Sequence, residues 1–219
     1  MTIPLLRQVY GAARDPAKAA AMAGYMKGRF DFLGIPTPQR RALSREVLAA
    51  GKPGVAELPG IALACWELPE REYQYFATDL LVRYAARLPA DFVATAEQLI
   101  TTKSWWDTVD LLATRVVGSL VTRHPELRRT MDDWSRHENL WLVRTAILYQ
   151  LHAGARTDTV RLFGYCAAQA GHRDFFVRKA IGWALRQYAR TDPDGVRRFV
   201  SVHREELSPL SVREAMKHL

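Results

Sequence analysis

Asp110 follows Trp106 by four residues in the run Lys103-Ser104-Trp105-Trp106-Asp107-Thr108-Val109-Asp110. Residues four apart share one face of a helix, so an indole and a carboxylate would stand one above the other. Such a pair can set a negative charge and an electron-rich ring face beside a developing cation. Ser104 is the expected N-cap, with Asp107 in the acid-favouring first turn. Trp105 lies about 100° round the helix from Trp106, so one indole can enter the core while the other lines a groove. A plainer account of the same residues is a cap, a core tryptophan and two solvated acids.

Three further stretches carry candidate chemistry. Arg144 stands among apolar residues in Asn139-Leu140-Trp141-Leu142-Val143-Arg144-Thr145-Ala146. An arginine in such a helix needs a partner: either an acid on a neighbouring helix, or a phosphate or substrate. In the run from Asp174 to Arg186, Asp174 is the expected N-cap and Phe175 and Phe176 begin the helix. Lys179, Trp183 and Arg186 are then spaced four and three, giving one face of cation, aromatic and cation. That pattern fits stacking on sugar or base with phosphate contacts, and equally a core stripe. In the stretch Tyr25 to Arg41, Pro36 and Pro38 bracket Thr37 and stiffen the entry to a helix. Thr37 and Arg41 at that N-terminus form a ready phosphate site, or simply a capped loop with a solvated basic helix.

Other chemistries find little support. There is no glycine-rich phosphate loop and no Gly-x-Ser-x-Gly. The six histidines are scattered, without a pair at metal-ligand spacing, so no metal site is expected. The two cysteines, Cys65 and Cys166, read as small buried hydrophobes in a reducing compartment.

The elements that must position these residues are helical. A capping residue followed by proline opens an amphipathic run at Asp15-Pro16, Thr37-Pro38, Asp192-Pro193 and Ser208-Pro209. Between these starts apolar residues recur at three and four, as in Ile181, Ala184, Leu185 and Tyr188. The pattern predicts helices near 3–13, 16–27, 38–50, 55–66, 70–87, 89–100, 104–120, 125–136, 139–152, 157–170, 174–190, 193–204 and 208–217. Loops are short and no linker divides the chain, so residues 1–219 read as one all-α domain. Antiparallel helix pairs of about 40 residues suggest a HEAT-like helical-repeat solenoid with a concave basic face; a compact bundle is the competing architecture.

Lys plus Arg number 31 against 23 Asp plus Glu, a net charge of +8. Residues 128–204 hold 14 basic and 7 acidic side chains, which places the excess almost wholly in the C-terminal part. Such a surface attracts polyanions, and 25 of the 31 cations are arginine, the better phosphate fork. No signal peptide or membrane span is visible, so a cytoplasmic protein is expected, associated with the nucleoid when bound to DNA.

Taken together, the stretches Tyr25 to Arg41, Arg71-Glu72-Tyr73-Gln74-Tyr75, Lys103 to Asp110, Trp141 to Leu151 and Asp174 to Tyr188 resemble the AlkD family of alkylpurine DNA glycosylases. The resemblance implies a HEAT-like-repeat enzyme that hydrolyses the N-glycosidic bond of cationic 3-methyladenine and 7-methylguanine in double-stranded DNA, without the usual base flipping. It makes Asp110 the catalytic carboxylate, with Trp106 and Trp183 against the deoxyribose. It places Arg144 and Arg186 at the DNA cleft, and Tyr25, Thr37 and Arg41 near the DNA backbone; Phe175, Phe176 and Lys179 join them as DNA contacts on the strength of the cation–aromatic pattern alone. An N-alkylated purine leaves without a general acid, so no cofactor or metal is called for, and a monomeric, monofunctional enzyme is expected. Two alternatives stay open: a non-catalytic module that binds damaged DNA, and a helical scaffold for protein partners.

Overall fold

The computed structural model describes residues 3–219, and among them there are helices but no strands. The chain forms two compact units, one ending at Leu88 and one running Pro89–Leu219. Among the described residues no helix is long and apolar enough to cross a membrane.

The first unit holds α1 (Ile3–Ala12), α2 (Pro16–Tyr25), α3 (Thr37–Ala50), α4 (Leu58–Glu67) and α5 (Arg71–Tyr84). Asp15 caps α2 as the Asp-Pro signature predicts, accepting from the Lys18 amide. At α3 the expectation shifts by one residue: Pro36 takes the cap position and Thr37 is the first helical residue. The core gathers around Tyr10, whose hydroxyl lies 2.7 Å from Ser44 Oγ and whose ring stacks on Tyr73 at 5.7 Å.

A buried carboxylate organises the loop between α2 and α3. Glu72 is fully buried and accepts from the backbone amides of Leu33, Gly34 and Ile35 at 2.9, 2.8 and 3.1 Å. Three such bonds satisfy a buried charge that would otherwise be costly. Gly34 has φ +88°, and a Cβ there would meet the Asp15 carbonyl oxygen at 2.1 Å. The loop can therefore lie against the α1–α2 turn only because this residue is glycine.

The second unit holds α6 (Phe92–Thr101), α7 (Trp106–Leu111), a π-helical segment (Leu112–Val117), α8 (Gly118–Arg123), α9 (Arg128–Trp134), α10 (Leu140–Leu148), α11 (Thr159–Ala168), α12 (Phe175–Tyr188), α13 (Pro193–Val202) and α14 (Pro209–Ala215). Asn139, Asp174, Asp192 and Ser208 cap their helices through side-chain oxygens. The central element is α10. Its residues Trp141 to Leu148 are all buried, and it packs on α6, α7, the π segment, α9, α11 and α12. A helix apolar on every side is buried on every side, which makes Arg144 the exception to be explained. Cys65 and Cys166 are buried thiols pushed up to about 12 by burial, inert as nucleophiles.

Candidate active site

The turn that leads into Asp110 differs from the expected cap. The helix starts at Trp106, and Trp105 occupies the cap position in extended backbone with no side-chain cap bond. Ser104 Oγ instead donates to the Ile100 carbonyl at 2.6 Å, closing the end of α6. Trp105 is the cause. It is buried against Trp141 at 5.9 Å and Phe176 at 4.8 Å, with Trp141 and Phe176 4.9 Å apart. Packing three rings together, two of them buried, outweighs a serine cap worth about 1 kcal/mol. Trp105 is therefore the core indole, while Trp106 remains partly exposed on the face it shares with Asp110.

Asp110 sits in the last turn of α7, its side chain 17% exposed. Arg144, its side chain only 4% exposed, grips it with two parallel bonds: Nε to Oδ1 at 2.7 Å and Nη2 to Oδ2 at 2.8 Å. The third arm, Nη1, donates to the Phe176 carbonyl in the first turn of α12. One guanidinium thus ties α7, α10 and α12 together. An ionised carboxylate offers about four acceptor sites, and Arg144 takes one on each oxygen. The remaining sites can hold a water or face a cation. Directly after Asp110 the helix widens into the π segment, and Thr114 Oγ1 donates to the Asp110 carbonyl at 2.7 Å; such π insertions recur at functional sites.

On α12, Asp174 accepts from the Phe176 amide at 2.7 Å, as its position predicts. Phe175 is 58% exposed. Lys179 and Arg186 are not unpaired cations. Both bind Glu214 of α14, Lys179 Nζ at 2.8 Å on one oxygen and Arg186 Nη1 on the other. The hydrogen bond from Lys179 and the charges of both cations hold the Glu214 carboxyl below its usual range, against the opposing effect of burial. Trp183 lies between the two cations in sequence and is partly buried. Beside it, a Cβ on Gly182 would meet Glu214 Cβ at 2.5 Å, so glycine lets α14 bring its acid close.

The structure thus joins Asp110, Arg144 and Phe176 in one contact network and gathers Lys179 and Arg186 on Glu214. A free phosphate-contacting Arg144 does not fit this geometry, because the guanidinium is buried and committed within the protein. Tyr25, Thr37 and Arg41 belong to the first unit. Tyr25 is 74% exposed, and Thr37 and Arg41 stand exposed one turn apart. Arg41 Nε lies 3.8 Å from Asp79, whose nearer partner is Arg40 at 2.9 Å.

Two residues of consequence carried no chemical signal in the sequence. Glu214 lies in a C-terminal stretch with no motif. Glu72 falls four residues before Phe76 and eight before Leu80, an acid on an apolar stripe, and that conflict could have marked it. Among the described residues no group of three or more His, Cys, Asp or Glu is arranged to hold a metal ion.

No curated protein matches the sequence. Among solved structures, one described as a predicted DNA alkylation repair enzyme from Enterococcus faecalis is 35% identical. It has a TM-score of 0.85 and covers 94% of this chain and 96% of its own. Another, smu.31 from Streptococcus mutans UA159, is 14% identical with a TM-score of 0.61 over 80% of this chain and 90% of its own, a likeness of fold. Residues 6–219 match the family described as DNA alkylation repair enzyme, and the chain belongs to that family.

Proposed function

We propose that this protein is an AlkD-like monofunctional DNA glycosylase. It would release positively charged N3- and N7-alkylpurines, such as 3-methyladenine and 7-methylguanine, from double-stranded DNA in the cytoplasm, as a monomer. Family membership gives alkylation repair. The observation that carries the finer reading is the forked grip of buried Arg144 on Asp110 beside the partly exposed Trp106.

The leaving base already bears a positive charge, so the enzyme need only stabilise the cation that develops on the sugar and supply water. A carboxylate about 4 Å from that cation gains about 4 kcal/mol at an effective dielectric near 20, before desolvation. Arg144 opposes part of this attraction. Its pairing therefore favours a second duty for Asp110, holding the attacking water on an acceptor site the guanidinium leaves open. Trp106 and Trp183 would face the deoxyribose, adding a cation–π share of about 1 kcal/mol. Phe175 and Phe176 would flank the lesion, and Tyr25, Thr37 and Arg41 would meet the backbone. No general acid is needed, and the base need not be flipped out.

The test is Asp110→Asn. The variant is expected to bind duplex DNA and to release 7-methylguanine from methylated duplex at least 100-fold more slowly, a loss in the range of a positioned base or charge. Release at the wild-type rate would overturn the assignment of Asp110. Wild-type protein that binds methylated DNA but releases no base would favour the non-catalytic module.

A further inference from the structure

A cavity of about 450 Å³ in the second unit is lined by Arg115, Arg123, Arg128 and Arg156, with Asp158 the one carboxylate. Asp158 is already occupied. It caps α11 through the Arg161 amide and pairs with the Arg161 guanidinium at 2.8 Å. Arg115, Arg128 and Arg156 have no carboxylate at ion-pair distance among the described residues. The cavity is therefore a concave site of net positive charge, which focuses potential on an anion. Its effect reaches His152 on the same wall: partial burial and the charge of Arg115 hold that imidazole below its ordinary value.

The cavity also has a defined relation to Asp110. The α7–α8 run that carries Asp110 continues past it to form one cavity wall, and the chain that follows α10, from Tyr149 to Asp158, forms another. Gly118 at the start of α8 approaches the chain just after α10 so closely that a Cβ would meet the Tyr149 carbonyl oxygen at 2.4 Å. The contacts Asp110–Arg144 and Gly118–Tyr149 occur in the same order along both elements. In an α-helix, residues four apart drift by about 40° per step. The π segment between Leu112 and Val117 has more residues per turn and cancels part of that drift. Asp110, Thr114, Gly118 and Thr122 accordingly stay on one stripe, and the last three line the cavity. Eight residues separate Asp110 from Gly118, so along the axis of the run the two lie at most about 12 Å apart.

We infer that this cavity is a phosphate site, built from Arg115, Arg128 and Arg156, that takes the backbone of a bound duplex beside the site at Asp110. Arginine forks suit phosphate oxygens. Its placement beside a lesion rests on the reading of Asp110 as the reaction centre; the phosphate chemistry does not.

The experiment measures affinity for an undamaged duplex against salt concentration, with wild type and the triple variant Arg115→Gln, Arg128→Gln, Arg156→Gln. Each phosphate contact adds about 0.9 to the log–log slope, so the slope is expected to fall by about 2 to 3. The thermal melt is expected to be unchanged, because these side chains are exposed. Should the triple variant melt early, Arg128→Gln alone is expected to lower the slope by about 1. A slope equal to wild type would overturn the proposal, even where inorganic phosphate alone shifts the His152 ring signals, since the site would then serve a free anion. Base release by the wild type is scored separately. A reduced slope in the variant with no release by the wild type would uphold the phosphate site and sink the glycosylase reading.

Discussion

At the scale of single residues, Arg144 is a structural tie and, on the proposed function, also the orienting partner of the reactive acid, and substitution can separate the two. Arg144→Ala leaves the Asp110 carboxylate and the Phe176 carbonyl without their donor. Removing one partner of a buried pair costs about 3 to 5 kcal/mol, read as a shift of the denaturation midpoint. Arg144→Lys keeps the charge but offers a point in place of a fork. It is expected to recover most of the stability while base release under single-turnover conditions stays at least tenfold low. Full recovery of the rate by lysine would mean that charge alone, not carboxylate orientation, is what Arg144 supplies. Arg144 was conspicuous in the sequence because a cation interrupted an apolar helix. Its partner was not, because Asp110 lies 34 positions away and no spacing rule links them. Adjacent Trp105 and Trp106 pose the same difficulty: periodicity says that their faces differ, and only the ring cluster decides which one is buried.

At the scale of elements, local signals were legible and tertiary ones were not. Asp15, Asn139, Asp174, Asp192 and Ser208 cap helices because a cap is decided within four residues. Ser104 carried the same signal and does not cap, since the neighbouring indole had a stronger claim on the backbone. The run read as one helix over 104–120 is α7, a π segment and α8, and nothing in residues 112–117 announces the widening. The α12–α14 packing was equally hidden, because Glu214 has no meaning until Gly182 lets it approach. That contact yields a pH prediction. The folded-state pKa of Glu214 is depressed, so its stabilising contribution is full above the ordinary glutamate value of 4.5 and is lost as pH falls through the lower, folded value. Glu214→Gln should therefore melt below wild type at pH 7, with the gap closing on acidification below about 4.5. A gap that persists at low pH would show that shape, not charge, joins the two helices.

At the scale of the whole molecule, the sequence misplaced the charge. Residues 128–204 do carry the densest excess, but residues 89–127 hold 3 cations against 5 acids. Counted by unit, residues 1–88 hold 12 basic and 8 acidic side chains and residues 89–219 hold 19 and 15, a net of +4 in each. The attraction for DNA therefore belongs to both units, while the proposed chemistry belongs to one buried pair. Salt separates the two contributions. Exposed cations act on a duplex through released counterions, so encounter weakens steeply as salt rises. The Asp110–Arg144 pair is partly buried, and partly buried pairs are screened much less than exposed ones. Base release with DNA limiting and enzyme far below saturation is thus expected to fall linearly on a log–log plot between 50 and 200 mM salt, by at least about 100-fold if several phosphates are neutralised. At saturating enzyme the single-turnover rate should change less than twofold over the same range. Parallel loss of both rates would place the proposed reacting carboxylate in contact with bulk ions and would contradict the reduced screening expected of a partly buried carboxylate held by Arg144.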